Sequence, residues 1–429
     1  MKEILNGAIL IVLIIGLWLG TLAFGAVTID YAVVLYATAA LLAVLWMLKI
    51  VLSEQASWVR SPMYWPVLAF VVYATVRYAT APVEFEARQE VLQVWLCALA
   101  FMVTACNLYR ARDRRAVLVA LLVLAIAETG YGFWQFFARQ DSVLHLGRPE
   151  MFRGRASGTF VYPNNLAGLL SIVMSLVIAD LILRKPVRGY LERNTIERAV
   201  GFYSVTMIGC GLFMTQSYGA WLALAVGLGM FMMWRWRGSF LGSSRVVIGF
   251  VVSSVLAAVI IVGVAHFRPV NAAISGAIPT GALWQSDPMI ADRPGIWEAT
   301  AGMILNHPLL GVGSAGWQSY YAAYRGADAV VDPVSPYSDL LLLLAQYGVI
   351  GFGITVAVFA AFFWHSARLA RILNPSEQRG FSVGVALSVA VALVLSLIDL
   401  NLTMPANAMI LASLMGLAVA MDNGQRDEY

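Results

Sequence analysis

Residues 339–364, DLLLLLAQYGVIGFGITVAVFAAFFW, decide the fold: after the opening aspartate the run carries no charge, and it is long enough to cross about 30 Å of hydrocarbon as one helix. Runs of the same kind stand on both sides of it. They fall at 4–24, 31–52, 63–79, 89–109, 115–138, 161–183, 199–215, 217–234 and 246–265, and then at 380–398 and 406–421. Composition agrees, with 60% hydrophobic and 12% charged residues and a mean hydropathy of +0.77, where a soluble domain carries about 25% charge. The expected fold class is all-α: a polytopic membrane protein of about twelve transmembrane helices, with residues 1–429 forming a single transmembrane domain.

About twelve crossings put both termini on one side, and the basic residues say which. Nineteen of the 28 Lys and Arg residues fall in connections on the side of the termini, including the arginines of 110–115 and the basic stretch 184–198. The termini are therefore expected in the cytoplasm, and the long connection 266–338 on the outer face. The nine outer basic residues are all arginine: Arg77, Arg88, Arg139, Arg148, Arg153, Arg155, Arg268, Arg293 and Arg325. Arginine's planar fork suits bidentate phosphate recognition, although arginine outnumbers lysine throughout this chain. The net charge of +4 reflects cytoplasmic loops facing anionic lipid and does not argue for nucleic acid. Cys97, Cys106 and Cys210 lie inside expected spans, which leaves the outer face without disulfides or metal thiolates. The first span is expected to be retained rather than cleaved as a signal, since Glu3 cancels Lys2 at its start.

In the large outer loop, Asp292 can cap a helix opening around Pro294. Ile296, Met303 and Ile304 then share one face, with Trp297 and Thr300 beside them, and Pro308 ends the helix. Such a helix is expected to lie along the membrane with Trp297 at headgroup depth. The outer connection 139–160 is expected to meet this loop.

Several motifs are read both ways. Gly311, Gly313 and Gly316 spell GxGxxG, but they follow a proline-terminated helix and not a strand, so they read as turns and not as a dinucleotide site. Asn401–Leu402–Thr403 is a formal glycosylation sequon in a short turn at the bilayer edge and reads as chance. The histidines show no metal-ligand spacing, and no metal or cofactor is expected. Glu128 is deep in the fifth span, where it is expected to pair with Arg153 or Arg155, a catalytic role being the alternative. Asn107, Asp180 and Asp399 lie near enough to helix ends to be read as solvated.

Five segments carry a resemblance. RASGTFVYPNNLAGLL at 155–170, TQSYGAWL at 215–222, DRPGIWEATAGMILNHPLLGVGSAGW at 292–317, YSDLLLLLAQYGVIG at 337–351 and DLNLTMPANAMILASLMGLA at 399–418 resemble the O-antigen ligase and O-antigen polymerase superfamily. The resemblance covers the chain from about residue 150 onward. It implies a GT-C-like, metal-independent, inverting glycosyltransferase of the bacterial inner membrane. Such an enzyme acts at the periplasmic face on glycans carried by undecaprenyl diphosphate, in lipopolysaccharide or exopolysaccharide assembly. Arg293 and Arg155 match arginines of the family pattern. Two positions depart from it: Tyr218 stands where the family usually has arginine, and Tyr337 where it usually has histidine.

The expected catalytic residues are accordingly Arg293, Asp339 and Tyr337, with Arg153, Arg155, Asn164, Tyr218 and Trp297 in substrate binding. The arginines would stabilise the leaving diphosphate. Asp339 would accept the proton of the acceptor hydroxyl, or would instead cap a helix. The expected partners are the lipid-linked glycan and the bilayer. A second reading is a non-catalytic relative that binds the lipid-linked glycan and assists polysaccharide assembly proteins. A third, a secondary transporter, is disfavoured by the position of the long loop and the absence of repeats.

Overall fold

A computed structural model describes residues 2–52, 61–140, 142–149, 152–183, 191–237, 293–326, 333–372 and 377–424. The described chain is almost entirely helical: α1 (Lys2–Leu22), α2 (Ile29–Leu52), α3 (Tyr64–Tyr78), α4 (Glu84–Asn107), α5 (Ala111–Phe137), α6 (Pro163–Leu183), α7 (Leu191–Thr215) and α8 (Tyr218–Arg237). These are followed by α9 (Arg293–Asn306), α10 (Trp317–Tyr324), α11 (Asp339–Ile372), α12 (Glu377–Ser396) and α13 (Pro405–Gly424). A two-stranded ribbon, β1 (Ser142–Val143) with β2 (Leu146–Gly147), interrupts the α5–α6 connection. Proline opens α6 and α13 and is second in α9, positions where its missing N–H costs no hydrogen bond.

Eight of the described helices are long and apolar enough to cross a membrane. The all-α polytopic fold is thus the observed one. The expected spans at 63–79, 199–215 and 217–234 are also helices, α3, α7 and α8, packed in the same bundle. The expected span at 246–265 lies outside the described residues. At the centre stand α6, α12 and α13. Of the most apolar stretch of α13, 83% of residues are buried, against 17% in α2, so α2 keeps its side chains for lipid. The tightest pairs are α6 with α12 and α4 with α13.

The bundle has two distinct ends. At the basic end Arg110 pairs with Glu3 at 2.7 Å, Arg115 with Glu197 at 2.9 Å, and Lys49 donates to Asn107 Oδ1 at 2.8 Å. Asn107 is buried in that contact, not solvated as the sequence suggested. The opposite end is covered by α9, α10 and the connection between them, whose residues Ile296, Ala299, Met303, Val312, Trp317 and Tyr321 form a core of their own with Tyr337 and Ala345. Trp317 Nε1 donates to Thr300 Oγ1 at 3.0 Å, which ties the two cap helices together.

Cap and bundle are joined where α11 breaks. Gly348 has φ 63° and ψ −169°, and the α9–α10 connection lies along the break. Val312 N–H donates to the Ala345 carbonyl at 2.8 Å, Gly313 N–H to the Gln346 carbonyl at 3.0 Å, and Val349 N–H to the Pro308 carbonyl at 2.8 Å. A side chain at Gly348 would run into the Leu309 backbone, and one at Gly311 into that of Gln346. Both positions also need a left-handed backbone. The glycines of 311–316 are thus turns, as expected. Their neighbours Ser314 and Ala315 bind the half-buried Glu90 through its carboxylate, at 2.9 Å from Ser314 Oγ and 2.6 Å from Ala315 N–H.

Candidate active site

The site is built around the turn 397–404 between α12 and α13. This turn holds few side chains capable of fixing it, so distant residues do. Asp339, the first residue of α11, accepts through Oδ2 from Ser396 Oγ, Asn401 N–H and Leu402 N–H, each at 2.8 Å. Its Oδ1 accepts from Thr403 N–H at 3.1 Å. Gln93 Nε2 donates to the Leu402 and Thr403 carbonyls at 3.2 and 3.1 Å. Asn407 Nδ2 donates to Asn401 Oδ1 at 2.9 Å and to the Asn165 carbonyl at 3.0 Å. Ser338, the preceding residue, caps α11 itself, its Oγ accepting from Leu341 N–H at 3.3 Å.

Three further segments come to this turn. Arg293, at the start of α9, donates from Nη1 to the Ile398 carbonyl at 2.9 Å, and its guanidinium lies 5.7 Å from the centroid of the Tyr337 ring. Arg293 Nε is buried with no hydrogen-bond partner among the described residues. Arg155 donates from Nε to the Thr215 carbonyl at 2.9 Å and from Nη2 to Asn164 Oδ1 at 2.7 Å, which links the loop before α6 to the α7–α8 turn. The α8 turn reaches the same place, since Gly219, next to Tyr218, packs on Ile398. Tyr337 and Gln216 both hold φ near 50°, a backbone strain of about 1–3 kcal/mol that only a firmly packed surrounding sustains.

Asp399 lies within electrostatic reach of both arginines. Its Oδ1 accepts from Leu400 N–H at 2.9 Å. Burial raises its carboxyl to about 6, Asp339 pushes in the same direction, and the Leu400 N–H, Arg293 and Arg155 act against the rise. A carboxylate with that value is charged at neutral pH and still able to take a proton. Beneath the turn a cavity of about 290 Å³ runs between α3, α4, α11 and α13, apolar along Phe70, Val94, Phe359 and Leu411 and reaching Asp339 and Thr403 at its polar end.

Residues 202–356, from α7 into α11, match the model of the family described as O-antigen ligase. Over this segment the chain is similar to the O-antigen ligase and polymerase superfamily. That family is one of glycan-transferring membrane proteins. No curated protein matches the chain. The matched segment contains Tyr218, Arg293, Trp297, Tyr337 and Asp339, while Arg155, Asn164 and Asp399 reach the site from outside it.

The structure corrects several expectations. Asp339 is buried with four donors on its carboxylate, and through them it fixes the 401–403 turn of a neighbouring segment as well as opening α11. Glu128 does not pair with Arg153 or Arg155; it holds Thr159 through N–H at 2.8 Å and Oγ1 at 2.7 Å. With Gln135, which bonds Ser157 N–H and the Gly158 carbonyl, it shapes the loop that presents Arg155. Arg153 is exposed, whereas Arg155 is half-buried. Trp297 is half-buried and donates to the Pro336 carbonyl at 3.0 Å, so it serves the cap interior. Asp399, read from sequence as solvated, is buried at the centre of the cluster. Its signal in the sequence was a lone acid beside an apolar helix end, indistinguishable there from an ordinary solvated turn residue. The sequon reading as chance agrees with Asn401, which is buried.

Proposed function

We propose that this protein is a membrane glycosyltransferase, a polysaccharide polymerase or ligase, that moves a glycan from undecaprenyl diphosphate to a saccharide or lipid acceptor. The observation that carries the reading is the buried Asp399 carboxylate placed under the influence of both Arg293 and Arg155. Cleaving a sugar from a lipid diphosphate leaves negative charge on the departing oxygen, and fixed guanidinium groups stabilise that charge. The acceptor oxygen forms the new bond to the anomeric carbon as the carbon–oxygen bond to diphosphate breaks, and the hydroxyl proton passes to Asp399. One displacement of this kind inverts the anomeric centre, and it assigns no role to a metal. Asp339 is then a positioning residue that holds the Asp399 turn, and Tyr337 orients Arg293 through its ring. Asn164 orients Arg155, Tyr218 shapes the donor pocket, Trp297 supports it from the cap interior by holding the Pro336 carbonyl beside Tyr337, and Arg153 meets the polar part of the substrate. The apolar cavity under the turn suits the first isoprene units of the lipid.

The charge distribution of the loops supports an inner-membrane location with termini in the cytoplasm and the capped end in the periplasm. A second reading, a non-catalytic binder of lipid-linked glycan within an assembly or export complex, is favoured by Tyr337 and Tyr218 at the positions where the family usually carries histidine and arginine. The two separate in a nanodisc assay with undecaprenyl-diphosphate-linked repeat units. Longer glycan or glycosylated acceptor, lost in Arg293→Ala, establishes the transferase. Donor binding without turnover establishes the binder, and neither binding nor turnover removes both.

A further inference from the structure

The last turn of α9 and the connection to α10 carry three large apolar side chains that the described residues leave uncovered: Leu305 is 79% exposed, Leu309 65% and Leu310 49%. On a cap standing in water such a group would be an unfavourable patch. Its backbone, however, is joined to a membrane-spanning helix. Val349 N–H donates to the Pro308 carbonyl at 2.8 Å and Ile350 N–H to the Leu309 carbonyl at 3.3 Å. Val349 and Ile350 are themselves exposed, and Val349 lies about 15 Å along α11 from Asp339. The three leucines thus extend the lipid-facing side of α11.

A second observation bears on depth. Helix α3 has 15 residues, so it spans about 22 Å and falls roughly 8 Å short of a 30 Å hydrocarbon layer. The α9–α10 connection sits on its capped end: Arg77 Nη2 donates to the Gly311 carbonyl at 3.2 Å, and Gly313 packs on Thr80 and Pro82. In a bilayer of that thickness it would fill the part that the short helix leaves. Irregular backbone at that depth must find its partners within the protein. The bonds from Val312 and Gly313 to α11, with Gly311 N–H on the His307 carbonyl at 3.0 Å, supply them.

We infer that the end of α9 and the α9–α10 connection form a re-entrant element whose tip, Leu305, Leu309 and Leu310, is inserted among the acyl chains of the leaflet at the capped end. The partner is the hydrocarbon of that leaflet. The insertion seats the cap, and with it Arg293 at the far end of α9, at a set height above the lipid. The lipid contact of α9 therefore belongs to its C-terminal end and not to Trp297. The inference rests on the fold and is independent of the proposed reaction.

The test uses the full chain in nanodiscs of phosphatidylcholine and phosphatidylglycerol, with Cys97, Cys106 and Cys210 replaced by alanine. Single cysteines are introduced as Leu309→Cys and, for an aqueous reference on the exposed side of α10, Ala323→Cys. A hydrophilic maleimide should label Leu309→Cys about tenfold more slowly, as expected for a thiol whose ionised form is disfavoured by apolar surroundings. A bimane on Leu309→Cys should be quenched by nitroxides on lipid acyl chains. Equal labelling rates would overturn the inference. Slow labelling without acyl-chain quenching would overturn it as well, because protein and not lipid would then cover the site.

Discussion

Asp399 carries a titration that separates chemistry from folding. With its carboxyl at about 6, it is charged and able to accept a proton above that pH and is protonated below it. Transfer should therefore fall as pH drops through about 6. In Asp399→Asn the rate should be lower by about 10²–10⁴, the usual contribution of a general base, and that acid limb should disappear. The same shift acts on stability with the opposite sense. The folded value lies above the ordinary 3.8, so the folded protein binds the proton more tightly than the unfolded chain. The stability this gives is complete below 3.8 and is lost as pH rises through about 6. Melting temperature against pH should accordingly be flatter in Asp399→Asn than in the parent. Asp339 makes the contrasting case. Asp339→Ala would leave the Ser396 hydroxyl and three backbone N–H groups without their acceptor, at about 1–3 kcal/mol for each buried group left unsatisfied. The expected outcome is a large drop in melting temperature in detergent. An unchanged melting temperature with turnover abolished would return Asp339 to the role of base.

Among the elements, α11 shows most clearly what hydropathy can and cannot reveal. Its apolar run is unmistakable because the bilayer selects for length and composition alone. The break at Gly348 is invisible in the same run, since a left-handed glycine leaves no trace in hydrophobicity, and its partner strand of chain, 308–313, is forty residues away. Gly348→Ala should cost about 1–2 kcal/mol for the backbone conformation and more for the overlap with Leu309. It should undock the cap: proteolysis within 293–326 should accelerate while the spans remain inserted, and unaltered cleavage would show that the cap is held by other contacts. Helix α9 was legible from its proline and its apolar spacing, and Ile296 and Met303 are buried as that spacing implied. The facing of Trp297 was not, because one aromatic suits both a headgroup and a cap interior. The arginines Arg155 and Arg293 could be chosen from the sequence as a pair, but their common neighbour could not, because sequence distance says nothing about which turn lies between them.

For the whole molecule, the ordering of helices into core and periphery follows from burial, and the two ends differ in charge as the loop composition implied. Attaching a periplasm-active reporter at 324–326 and a cytoplasm-active one after 424 should give signal from both; reversed signals would turn the protein over and remove the proposed periplasmic reaction. The turn 397–404 has a further consequence, which concerns the time at which parts of the chain emerge from the ribosome. Its anchors, Gln93, Asn165, Arg293 and Asp339, are synthesised before it, and Asn407 only just after. Until α12 and α13 have entered the bilayer, the Asp339 carboxylate and Gln93 amide wait in the membrane without the groups that will satisfy them. The site is therefore among the last features to form during biogenesis. A chain stopped before residue 397 should insert nearly all its spans and yet be degraded as an unfinished membrane protein, whereas stopping after 424 should leave its lifetime unchanged.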